Sequence, residues 1–146
     1  MIVNIYASRK GRRFILMPFG RDEAGLSVTV GEFRVLGWEQ FRTEGLGAVK
    51  EAIKDYCTVR NAGLSEIDRM SREERITFVN MHIGFQVTQR DQDLWWIDLT
   101  RPVADGSIAS PMGPPYRVHF HPSQGAGRFF EALIQLMMLD EAYSEN

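Results

Sequence analysis

Two of the chain's three histidines stand one residue apart, in His119-Phe120-His121. In an extended segment that spacing puts both imidazoles on one face, an arrangement metal sites use. A working site needs a third ligand. His82 and the single thiol, Cys57, stand in no motif. The plainer reading is a polar strand face shared by Arg117, His119 and His121, and no bound metal is expected. Just downstream, Gln124-Gly125-Ala126-Gly127-Arg128 opens a helix whose free N–H groups could cradle a phosphate. It lacks the Lys-Ser/Thr pair of a P-loop and the third glycine of a dinucleotide fingerprint. A strand-to-helix turn explains it as well. Together the His119/His121 strand and the Gly125–Arg128 turn make the alternative reading, a small ligand- or metal-binding, enzyme-like domain.

The other reactive side chains point away from catalysis. Cys57 falls on the apolar face of a predicted helix, where a thiol is inert. Ser71 and Ser123 fit helix caps and lie in no nucleophile elbow. Asp91, Asp93 and Asp98 sit on or near a predicted hairpin, where solvated charge is the default. Arg9, Lys10, Arg12 and Arg13 cluster in one turn, able to meet an acidic partner or simply to keep a sheet edge from pairing. Trp96 shares the polar face of its strand with Asp98 and Thr100. Exposed, it would be a binding anchor; covered by a helix, it would be core. No set amounts to a complete reaction centre, so neither enzyme activity nor a cofactor is expected.

The elements that hold these residues follow from periodicity. Residues 2–19 alternate as two short strands around Ser8-Arg9-Lys10-Gly11, a hairpin signal. Leu26 to Val30 alternates again, Gly31-Glu32 has the form of a tight hairpin connection, and Phe33–Leu36 reads as a fourth strand. From Leu46 the apolar positions Val49, Ile53, Tyr56 and Cys57 recur at helical steps, which predicts a helix over 46–60 closed by Gly63. Gly45 and Gly47 weaken its first turn, so Trp38–Thr43 is read as a separate turn. Ser71 followed by Glu74 is a capping box for a short helix over Arg72–Val79. His82–Thr88 and Leu94–Thr100 form a second strand pair. Residues 101–115, rich in proline and glycine, read as a loop. Residues 116–121 resume strand alternation, and an amphipathic helix over 126–142 closes the chain, with Ser123 able to cap it.

The bulk numbers suit one ordinary domain spanning residues 1–146, with 44% hydrophobic and 25% charged residues. A formal charge of −2 and a pI near 5.9 argue against a dedicated nucleic-acid binder. A single cysteine excludes an intramolecular disulfide and suits a reducing compartment. The first residues lack the basic and apolar regions of a signal peptide, and no apolar run approaches the ~20 residues of a membrane span. A cytoplasmic protein with no membrane partner is expected. The predicted fold is α+β: an antiparallel sheet from segments near 2–36, 82–100 and 116–121, packed against two main helices, 46–60 and 126–142.

Ser8-Arg9-Lys10-Gly11, Phe14-Ile15-Leu16 and Arg21-Asp22-Glu23-Ala24-Gly25-Leu26 carry a family resemblance. The chain resembles small immunity proteins that accompany contact-dependent growth-inhibition toxins of Gram-negative bacteria. The likeness is best over residues 6–36, looser over 125–142, and absent over 60–115. It implies a cytoplasmic, non-enzymatic inhibitor that binds the C-terminal toxin domain of its own effector, often a nuclease, and blocks its active site. It carries over no catalytic residue and no fixed contact surface. Interface residues are therefore chosen by expected exposure: Trp96, Asp98, Asp91, Asp93, Asp22 and Glu23. A structural subunit of a larger complex is a further reading.

Overall fold

The computed structural model describes residues 1–10, 12–55, 66–101 and 110–145. Four long antiparallel strands form the centre of the sheet: β1 (Ile2–Ser8), β2 (Arg13–Arg21), β5 (His82–Asp91) and β6 (Leu94–Arg101). They lie side by side in the order β2-β1-β5-β6. Each outer strand of this set carries two short strands end to end. β3 (Ser27–Thr29) and β4 (Arg34–Gly37) both pair with β2; β7 (Ser110–Pro111) and β8 (Arg117–Phe120) both pair with β6.

Alternation gives the sheet two faces. On one, Val3, Ile5, Phe14, Leu16, Phe85, Val87, Trp95, Ile97 and Phe120 are buried against α1 (Trp38–Lys54) and α3 (Ala126–Glu145). Phe41 of α1 stacks on Phe14 at 4.0 Å between ring centres, and Trp38 meets Phe130 of α3 edge-on at 5.2 Å. On the other face, Tyr6, Ile15, Met17 and Phe19 form a smaller cluster with Phe33, Ile67 and Phe78. Phe78 belongs to α2 (Arg72–Asn80). Among the described residues the architecture is thus a mixed α/β domain with an antiparallel sheet, the two main helices α1 and α3, and the shorter α2.

The first hairpin, the β5–β6 pair and the helix after Ser71 form as expected, and both halves of the Ser71/Glu74 capping box are made. Other expectations are corrected. Gly31-Glu32 closes no hairpin: β3 pairs with Phe19–Arg21 and β4 with Arg13–Leu16. β2 is nine residues long, so its outer edge accommodates both short strands in tandem. α1 starts at Trp38, eight residues earlier than its glycines suggested, and ends at Lys54. The Phe41 ring folds over Gly45, where a β-carbon would lie 2.9 Å from ring atoms, so packing decides against propensity. Ser123 does not cap α3; it lies in a 3-10 turn, Pro122–Gln124, in which Gln124 Oε1 accepts the His121 N–H at 3.0 Å. Tyr56, Cys57 and Gly63, and most of the 101–115 loop, lie outside the described residues. No helix among the described residues is long and apolar enough to cross a membrane.

Candidate functional site

The second sheet face changes character beyond the α2 cluster. Register places Thr88, Trp96 and His119 in one row across β5, β6 and β8, and Asn4, Gln86, Asp98 and Arg117 in the next row, starting from β1. These positions alternate with core residues, so their side chains share the face opposite α1 and α3. Trp96 is half-buried and stands at the centre. The Arg117 guanidinium lies 3.8 Å from its ring centroid and that of Arg90 lies 4.3 Å away. The His119 ring stacks nearly parallel to it at 6.0 Å. Cation–π contacts of this kind contribute about 0.5–2 kcal/mol each, most where solvent is thinnest. The indole is therefore fixed in place before any partner arrives.

Asp98 corrects the exposure assigned to it. It is 1% exposed, and its Oδ1 accepts from Arg117 Nε at 2.8 Å. The strand alternation placed it on the right face, but the cross-strand arginine covers it. What this face offers a partner is therefore cationic and aromatic rather than acidic. Arg90 and His119 are exposed beside the tryptophan.

The other chosen carboxylates are held in turns. Asp91 Oδ1 accepts the Asp93 N–H at 2.8 Å at the β5–β6 tip. The Asp93 carbonyl receives His121 Nδ1 at 2.7 Å, so this nitrogen carries the proton. Asp22 Oδ1 accepts from the N–H groups of Ala24 and Leu26, each at 2.9 Å. Glu23 is exposed in the same turn. That turn follows β2, two strands away from β5, so the six residues do not make one patch. Trp96 and Asp98 come together, Asp91 and Asp93 flank them at the hairpin tip, and Asp22 and Glu23 stand apart.

The histidine pair does not converge either. His119 stacks on Trp96 and His121 is tied to Asp93, and among the described residues no group of three or more metal-ligating side chains occurs. In the basic first turn, Arg9 pairs with Asp140 of α3 at 3.2 Å and Arg12 lies 5.3 Å over the Trp38 ring. Sequence reading missed Arg90, whose role depends on a bulge between Gln89 and Asp91 that no residue type announces. It also missed His82. This side chain is buried, with Nδ1 donating to the Phe78 carbonyl at 2.5 Å and Nε2 left without a partner among the described residues. Burial lowers its pKa, the Phe78 hydrogen bond opposes that in part, and Arg13 and Arg9 add to the lowering. With Thr100, whose hydroxyl also has no partner among the described residues, it lines a cavity of about 80 Å³.

No protein-family model matches the chain, and no curated protein does. Among solved structures it is similar to NMB0488, a protein of unknown function from Neisseria meningitidis. The TM-score is 0.64 at 10% identity, with 94% of this chain and 93% of that one covered. At that identity the likeness establishes the shared fold.

Proposed function

We propose that this protein is an immunity protein: it binds and neutralises the toxin domain of a cognate growth-inhibition effector without performing chemistry itself. The observation that carries the reading is the Trp96 cluster. A half-buried tryptophan, immobilised by two guanidiniums on a sheet face, is a preformed anchor of the kind that dominates protein–protein affinity. Little side-chain entropy remains to be lost when a partner closes over it. Arg90 and His119 beside it favour an acidic surface on the toxin, such as carboxylates that ring an active site. Blocking that site sterically needs shape and charge only, which suits a face built from cross-strand pairs. The resemblance of residues 6–36 to immunity proteins points the same way, and a cytoplasmic location follows from the reading.

The test is co-expression with the toxin domain that the reading expects to be encoded directly upstream. The reading expects cells to survive and the two proteins to co-purify. Unrelieved growth inhibition, or no complex, would remove it.

A further inference from the structure

The Trp96 face ends on an open sheet edge. β8 pairs with β6 on one side, and among the described residues no strand pairs with its other side. The register shows which backbone groups this leaves. The Leu99 N–H donates to the Tyr116 carbonyl at 2.9 Å, so these two residues form a hydrogen-bonded pair of the antiparallel ladder. Ile97 with Val118 and Trp95 with Phe120 repeat that pairing at steps of two. Asp98 with Arg117 and Trp96 with His119 are the intervening pairs, whose backbone groups point away from each other. The N–H and C=O groups of Arg117 and His119 therefore face outward, and no backbone group of the described residues meets them.

Charged side chains standing out from an edge commonly keep strangers from pairing with it. Here the side chains of both outward residues lie back along the sheet. The Arg117 guanidinium packs on the Trp96 ring and donates to Asp98, and the His119 ring stacks on the same indole. The open backbone groups thus border the tryptophan directly.

Charge decides between occupants. A second copy adding its own β8 would bring two rows of Arg117 and His119 together with no free carboxylate on either side, since Asp98 is already taken by Arg117. Like charges set opposite each other across strands are destabilising, and opposite charges are favourable. An acidic strand suits this edge and a second β8 does not. We propose that the toxin domain adds an extended strand to the outer edge of β8, with acidic side chains at alternate positions beside Arg117 and His119 and an apolar one between them beside Val118. This rests on the immunity reading and names how the partner is held. Main-chain bonds to Arg117 and His119 supply affinity, and the alternate side chains supply selectivity.

The probe is the peptide acetyl-Thr-Glu-Val-Glu-Val-Thr-amide, titrated into the full chain while backbone amide resonances are followed by NMR. Saturable movement of the Arg117 and His119 amides is expected, larger than that of Val35 on β4 at the opposite edge. The lysine counterpart, acetyl-Thr-Lys-Val-Lys-Val-Thr-amide, should bind at least about tenfold more weakly. His119→Pro removes an outward N–H that the ladder does not use, a change edge strands accept. It should lose about tenfold or more in peptide affinity with its melting temperature retained, whereas His119→Ala, which keeps the N–H, should lose less. Arg117 and His119 amides unmoved by millimolar peptide would overturn the proposal. So would equal binding of the two peptides, or a His119→Pro variant that binds as His119→Ala does. Dimerisation of the chain that His119→Pro abolishes would make a second copy the occupant and overturn it too. Cell survival and co-purification decide the immunity reading separately, so a chain that protects cells yet leaves the peptide unbound loses only the strand addition.

Discussion

Asp98 keeps its place in the sheet because Arg117 stands directly across the β6–β8 ladder from it. Removing the arginine leaves a carboxylate at 1% exposure without its partner. Arg117→Ala should therefore destabilise the fold by roughly 3–5 kcal/mol, read as a lowered urea midpoint. It should also loosen Trp96, since the same guanidinium packs on that ring. His82 works through pH. Burial holds its pKa below the ordinary 6.5, so the unfolded chain binds a proton more readily than the native one. Its contribution to stability is full above about pH 6.5 and declines as pH falls from there toward the lowered native value. Denaturation midpoints measured across that window should drop with acidification, and a His82→Gln variant should show a shallower drop. At the alkaline end Tyr6, pushed up to about 12 by burial, stays protonated in the fold while the unfolded chain ionises, so stability falls above about pH 10.

At the scale of elements, α1 separates packing from propensity. Gly45 and Gly47 look alike in sequence, and both argued for a late helix start. Gly47 has open space where a β-carbon would go, whereas Gly45 is covered by the Phe41 ring. Gly47→Ala should raise stability by about 0.5–1 kcal/mol, and Gly45→Ala should lower it despite the same gain in helix propensity. Thermal unfolding of the two single variants checks both signs. Capping chemistry at Ser71 and Glu74 was legible because it is local, confined to four consecutive residues. Alternation likewise identified β1, β2, β5 and β6. Strand partnership was not legible: whether β3 pairs with β4 or with β2 depends on which long edge is free, which no short window contains. The site shows the same divide. Period-two patterning grouped Trp96 with Asp98 on one strand and Arg117 with His119 on another, but only the register of β6 against β8 brings the two pairs together and sets Arg117 over Asp98.

For the whole molecule, the two sheet faces divide the labour. Helices α1 and α3 close one side with a large aromatic core, and α2 covers only the first strands of the other. The remainder presents a tryptophan fixed by arginines and backed by a buried ion pair. Rigid support behind a single aromatic anchor is what a tight inhibitor of another protein requires. The most direct measurement is the dissociation constant for the proposed toxin partner, which the immunity reading expects to be encoded directly upstream, with the parent chain and with Trp96→Ala. The account predicts tight binding by the parent and a loss of about 30-fold or more in the variant, with the melting temperature little changed. Equal affinity of the two proteins, or no binding by the parent, would contradict it.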